Sequence, residues 1–291
     1  MITDEDIAAY LRRLGVDAEP PSVEALFRLH RAQLEHVPYE TTWIHMDERW
    51  GVDRAESLRR IAHQRTGGYC FHLNGALSLL LDHLGYDVSL HIGGVHGPDG
   101  PNEEAMRNHL VLQVHGLPAE GNERGDWYVD AGLGDALHEP LPLVAGSYWQ
   151  GPFEFDLAVS DSPVGDWRFA HHPGGSFTGM AFRSAPATID DFAERNVHLS
   201  TSPESGFVRL LTVQRRDADG VDVMRGLVLS RVGASSEPGE TIESSTEWFE
   251  VLADRFGLPL DHVAPERKQR LWSRTRATHD AWVASQEDGP G

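Results

Sequence analysis

One thiol is the first place to look for chemistry in this sequence. Cys70 is the only cysteine of 291 residues, and it follows a glycine turn, Thr66-Gly67-Gly68-Tyr69-Cys70-Phe71, at the predicted start of a helix over 73–84. A sulfur at a helix N-terminus feels the positive end of the macrodipole and unpaired backbone N–H groups, and both favour thiolate. The two glycines let backbone approach closely and leave room for N–H donors to a developing oxyanion. The competing reading is a small buried hydrophobe, which describes many lone cysteines. A nucleophilic thiol needs a base and a group to orient that base. His109 begins one predicted strand and Asp130 ends another, so both can reach a sheet rim facing the Cys70 helix. Each taken alone also reads as a solvated strand end.

Composition narrows what surrounds that thiol. Forty per cent hydrophobic content over this length is ample for a packed core. A formal charge of −20 argues against a phosphate-binding basic face, so no nucleic acid partner is expected. A single cysteine permits no internal disulfide, which fits a reducing cytoplasm. The acidic start, Thr3-Asp4-Glu5-Asp6, has no secretory character, and the longest apolar run, 76–81, is far short of the roughly 20 residues a span needs. A cytoplasmic protein without membrane segments is therefore expected.

Helical periodicity dominates residues 1–90. Thr3 reads as an N-cap ahead of Ile7, Tyr10, Leu11 and Leu14, a second helix runs over 22–35, Pro38 stops it, and a short third helix covers 55–64. An aromatic-rich loop spans 39–50. From about 86 the period changes to two, with strands expected over 87–92, 108–114 and 126–130, separated by turns such as Gly97-Pro98-Asp99-Gly100. Residues 207–215 and 221–231 flank Asp217-Ala218-Asp219-Gly220 as a hairpin, and helices are expected over 246–256 and 265–284. The Ser- and Glu-rich stretch 235–245 reads as a loop. The fold class is α+β: a helical segment 1–90 carrying the cysteine, an antiparallel β-barrel over 91–190 carrying the histidine and aspartate, and an α/β segment over 191–291.

The motifs around the three residues carry a family likeness. Arg65-Thr66-Gly67-Gly68-Tyr69-Cys70-Phe71 with Asn74, Asn108-His109-Leu110-Val111-Leu112, and Val129-Asp130-Ala131-Gly132-Leu133-Gly134 resemble the arylamine N-acetyltransferases, as do 169–182 and Ser202-Pro203-Glu204-Ser205-Gly206-Phe207. The likeness implies Cys70 as acylated nucleophile, His109 as base and Asp130 as orienting carboxylate in a papain-like arrangement, with the third segment acting as a lid. It also implies a ping-pong reaction in which acetyl-CoA acylates the cysteine and an amine such as an arylamine removes the acyl group. Gly132 and Gly134 become expected cofactor contacts, and Phe71 and Val95 expected acceptor contacts. Two departures stand out: His72 where the family usually has Glu, and Tyr39-Glu40-Thr41-Thr42 where Phe-Glu-Asn-Leu is usual. His72 reads as a partly exposed helix-start residue, or else as an electrostatic tuner of the thiolate. Relatives in antibiotic pathways use the same triad to form amides or macrolactams from carrier-protein thioesters, so an amide synthase fed by an acyl carrier protein is the alternative expectation.

Other chemistries are less well supported by the sequence. Sixteen His include the pair His171-His172, yet no His-Glu-x-x-His or Cys-x-x-Cys spacing exists, so no metal is expected. Gly174-Gly175-Ser176-Phe177 lacks the Gly-x-Ser-x-Gly spacing of a serine nucleophile. A thiol hydrolase or a non-catalytic binding protein remain as readings. Trp43, Trp149, Trp167 and Trp248 are expected mostly in core or interface packing, with an aromatic acceptor site as their other use.

Overall fold

The computed structural model describes residues 2–234 and 237–287. Five helices and one short strand come first: α1 (Asp4–Leu14), α2 (Val23–His36), β1 (Tyr39–Glu40), α3 (Thr42–His45), α4 (Arg54–Gln64) and α5 (Cys70–His83). Strands follow as β2 (Asp87–His96), β3 (His109–His115), β4 (Trp127–Val129), β5 (Leu141–Pro142), β6 (Gly146–Gln150), β7 (Phe153–Val159), β8 (Trp167–Ala170) and β9 (Gly179–Ala187). A single 3-10 turn (Ile189–Phe192) leads into α6 (Ala193–Thr201) and α7 (Gly206–Arg209). The chain ends with β10 (Thr212–Arg216), β11 (Gly220–Arg225), β12 (Val228–Gly233), β13 (Glu237–Thr241), α8 (Ser245–Asp254) and α9 (Pro265–Glu287).

Local chemistry sets the helix starts where the sequence placed them. Thr3 and Asp6 close a reciprocal capping box at α1, and Ser22 caps α2. Helix α5 differs: eleven of its fourteen residues are buried, so it is a central helix without a polar face. It also begins at Cys70 itself, three residues earlier than the sequence suggested. The hairpin expected from 207 starts later. Ser205 caps a single turn, α7, so Phe207 lies on a helix and the first strand begins at Thr212. Within the stretch read as a loop at 235–245, β13 pairs with β12; residues 235 and 236 lie outside the described residues.

Two antiparallel sheets organise the β structure. The larger has eight strands in the order β5-β4-β3-β2-β9-β8-β7-β6. Its edge strands are consecutive in the chain, so the sheet curls almost closed into a barrel around Tyr128, Phe155, Phe169, Met180 and Phe182, all fully buried. The smaller sheet runs β1-β10-β11-β12-β13, and β1 reaches it from the helical segment by pairing Tyr39 with Gln214. That crossing ties the first part of the chain to the last beside Cys70, because Tyr39 also bridges to Gly68 in the glycine turn. The result is an α+β fold.

Candidate active site

Three elements bring Cys70, His109 and Asp130 together. Cys70 is the first residue of α5, His109 the first of β3, and Asp130 directly follows β4. Pairing of Leu112 with Val129 brings β3 beside β4 and carries both polar residues toward one end of the sheet. All three are buried: Cys70 is 4% exposed, His109 2% and Asp130 1%.

His109 Nε2 lies 2.7 Å from Asp130 Oδ2, which fixes the ring and leaves Nδ1 available to the Cys70 sulfur, whose proximity helps raise the imidazole's pKa. The Cys70 thiol also donates to the Asn108 carbonyl at 3.6 Å. Burial alone would lower the imidazole's proton affinity. The Asp130 carboxylate and the Cys70 sulfur outweigh burial and push the His109 pKa up to about 10. For Asp130, burial favours the neutral acid, but His109, Asn74 and the Gly132 N–H together hold the carboxyl below its usual range.

Asp130 is held from every side. Asn74 lies one turn after Cys70 on α5, hence on the same helix face, and its amide donates to Asp130 Oδ1 at 2.8 Å and to the Leu110 carbonyl at 2.6 Å. Asn74 Oδ1 in turn accepts from the Ala131 N–H at 2.9 Å. Gly132 N–H donates to Oδ1 at 2.9 Å, and the Tyr128 hydroxyl donates to Oδ2, also at 2.9 Å. Behind the carboxylate, His30 accepts the Asp130 N–H while its other nitrogen faces the His138 carbonyl at 3.0 Å. Burial lowers the His30 pKa to about 4, so it stays neutral in that role. Tyr128→Phe removes one buried donor to Asp130 and is expected to cost about 1 to 2 kcal/mol of stability. An unchanged denaturation midpoint would show that hydroxyl to be idle.

The glycines are explained by close approach. A Cβ on Gly132 would stand 2.6 Å from Cys70 Cα, and one on Gly67 would stand 1.9 Å from the Pro38 carbonyl oxygen. Gly132 also lines a cavity of about 380 Å³ with Cys70, His109 and Val95. Gly134 is not on that wall; its left-handed backbone and the Gln214 side chain, 2.1 Å from a would-be Cβ, account for it. Phe71, expected as an acceptor contact, is fully buried against Tyr69 and Phe192 and does not line the cavity. His72 is not partly exposed. It is wholly buried among Trp43, Trp50 and Tyr69, and burial lowers its pKa to about 3, which leaves it without charge to tune the sulfur. Trp43 and Trp248 are core, Trp149 is exposed, and none of the tryptophans lines the cavity.

Residues that sequence reasoning passed over complete the wall. Tyr39 and Phe207 pack edge to face beside the cysteine, with their ring centroids 6.3 Å apart. Phe177 and Ser176 enter from the β8–β9 loop, where both the Ser176 N–H and hydroxyl donate to Asp135. Gln214, Thr212 and Arg225 enter from the smaller sheet. Tyr39, Ser176, Phe177 and Phe207 fall in segments that the family likeness singled out, whereas Gln214, Thr212 and Arg225 are set by strand register. Among the described residues no group of three or more His, Cys, Asp or Glu side chains could hold a metal ion, and no helix is long and apolar enough to cross a membrane.

Comparison with known proteins decides the family. A family model described as N-acetyltransferase matches residues 22–264. The chain belongs to the arylamine N-acetyltransferase family. It is an acyltransferase by that membership. It is 27% identical to a pineal gland arylamine N-acetyltransferase isozyme of Gallus gallus, over 88% of this chain and 95% of the relative. With the arylamine N-acetyltransferase of Mycolicibacterium smegmatis it shares 28% identity over 89% and 94% of the two chains. The fold superposes on the Salmonella typhimurium arylamine N-acetyltransferase with a TM-score of 0.81 at 22% identity, covering 95% of this chain and all of that one. It superposes on the Mycobacterium marinum arylamine N-acetyltransferase, solved in complex with CoA, with a TM-score of 0.80 at 24% identity, covering 92% and 98%.

Proposed function

We propose that the protein moves an acetyl group from acetyl-CoA to an amine, such as an arylamine, by a ping-pong reaction through an acyl-cysteine at Cys70. The observation that carries this reading is the cavity wall itself: the sulfur, an imidazole and, behind it, a carboxylate four times hydrogen-bonded. Family membership and the CoA bound to the Mycobacterium marinum relative support the donor.

In the first half-reaction the Cys70 sulfur, ionised beside His109, adds to the thioester carbonyl. The developing oxyanion lies near the start of α5, where the Cys70 and Phe71 N–H groups take no backbone acceptor among the described residues. Collapse breaks the carbon–sulfur bond to CoA, whose sulfur takes the proton from His109 as it leaves, so the acyl group stays on Cys70 and the imidazole is left neutral. In the second half the amine nitrogen attacks the acyl carbon, its excess proton passes to His109, and the Cys70 thiolate is released. Asp130 keeps the imidazole oriented and stabilises its cation. Val95 and Gly132 serve as cavity contacts for the substrates. The same reading places the work in the cytoplasm and divides the chain at 90 and 190 into helical, barrel and lid segments, with β1 joining the first to the third.

Intact-mass analysis after incubation with acetyl-CoA tests the reading. Wild type is expected to gain one acetyl group, lost again on adding an arylamine, and Cys70→Ala to gain none. Absence of label with acetyl-CoA but label with a carrier-bound acyl thioester would move the donor to a carrier protein; absence with both would remove the acyl-enzyme.

A further inference from the structure

The inner face of the smaller sheet presents a polar strip that the acyl-transfer chemistry leaves unused. Register places it: Tyr39 pairs with Gln214, Gln214 and Thr212 are two apart on β10, and Thr212 pairs with Arg225. Cross-strand partners and i, i+2 neighbours share a face. All four side chains line the cavity that holds Cys70. Among the described residues, none of the four has a side-chain hydrogen bond or ion pair with the protein. Polar groups gathered on a cavity wall without protein partners are what a ligand-orienting surface looks like.

The strip ends in a cation. Arg225 is exposed and sits where the cavity opens into an outer groove of about 560 Å³, with which the cavity shares Arg225 and Leu210. The rest of the lining includes Val95, Leu133, Phe177 and Leu199, all apolar. The apolar lining therefore suits an aromatic ring and the strip suits hydrogen-bonding substituents, with a guanidinium at the strip's end. Two strand spacings of about 4.8 Å and two residues of about 3.4 Å set Arg225 roughly 12 Å from Tyr39, Cα to Cα. Both ends still share a cavity of only about 380 Å³, so an anion on Arg225 belongs to a one-ring molecule whose other end reaches the cysteine.

We propose that Arg225 is a specificity-determining residue that selects aromatic amines carrying a carboxylate, with Gln214 and Tyr39 steadying the ring between the anion and Cys70. The inference rests on reading the Cys70 cavity as the acceptor site. A guanidinium meets a carboxylate through two parallel N–H donors, which an amide cannot match. In a chain with a formal charge of −20, an anionic acceptor otherwise meets net repulsion.

Calorimetric binding of 4-aminobenzoate and its uncharged isostere 4-aminobenzamide tests this without requiring turnover. Wild type is expected to prefer the benzoate, and Arg225→Gln to lower that preference roughly 10- to 100-fold, with Arg225→Lys in between. The ratio of kcat/KM for the two acceptors should move in parallel. A preference equal in wild type and Arg225→Gln overturns the proposal. So does weakened binding of acetyl-CoA with the acceptor preference intact, which assigns the cation to the donor's phosphates. Failure of Cys70 to take an acetyl label is a separate result that strikes the acyl-enzyme, because the binding preference is measured on the unacylated protein.

Discussion

His109→Gln is expected to slow acetylation of Cys70 by roughly 10³-fold or more, followed by stopped-flow release of CoA or quenched intact mass. Gln keeps much of the ring's volume but cannot accept a proton from the sulfur or carry it as a cation. Among the described residues, the hydrogen-bond partner of Sγ is the Asn108 carbonyl, which cannot take the imidazole's place as a base. Acetylation within tenfold of wild type would mean that the sulfur ionises without this base.

Asp130→Asn is expected to lose roughly 10³- to 10⁴-fold in the same assay and to lower thermal stability as well. The carboxylate accepts from four donors: His109, Asn74, Tyr128 and the Gly132 N–H. An amide oxygen cannot serve them all, and its NH2 points a donor at another donor. The stability loss carries a pH signature. His109 is raised from its ordinary 6.5 to about 10, so its contribution is complete below 6.5 and fades as pH rises through 10. Asp130 is lowered, so its contribution is present above the ordinary 3.8 and fades as pH falls. The gap in melting temperature between wild type and Asp130→Asn is therefore expected to be widest between about pH 4 and 6.5 and narrower by pH 10. A gap independent of pH would separate the carboxylate from the imidazole's charge, whereas a variant with full activity would deny Asp130 any orienting role.

How legible these features were depended on whether the relevant signal is local. Thr3 and Ser22 cap helices because a hydroxyl three residues ahead of an N–H can satisfy it, whatever the remainder of the chain does. The strands β2 and β3 show in the residues themselves through their run of apolar residues at period two, although β3 is buried on both faces, with Leu110, Leu112 and Val114 in one core cluster and Val111 in the other. Phe207 was misread as strand because its apolar neighbours fit either period, and the Ser205 cap decides for a helical turn. His72 was misread because a polar type near a helix start normally faces water, while here α5 is enclosed on all sides and Trp43, Trp50 and Tyr69 close over the ring.

The sequence by itself determined the setting of Cys70 after its glycine turn, the order in which His109 and Asp130 follow it, and the succession of helices, barrel and second antiparallel sheet, because glycine turns, caps and hydrophobic period act over a few residues. Tertiary structure alone decided that Asn74 and Tyr128 hold Asp130 and that Tyr39, Gln214, Thr212 and Arg225 form one polar strip. Those contacts join residues up to 186 positions apart (39 to 225) through strand register, and register follows from how whole sheets bury their faces, which no local pattern encodes.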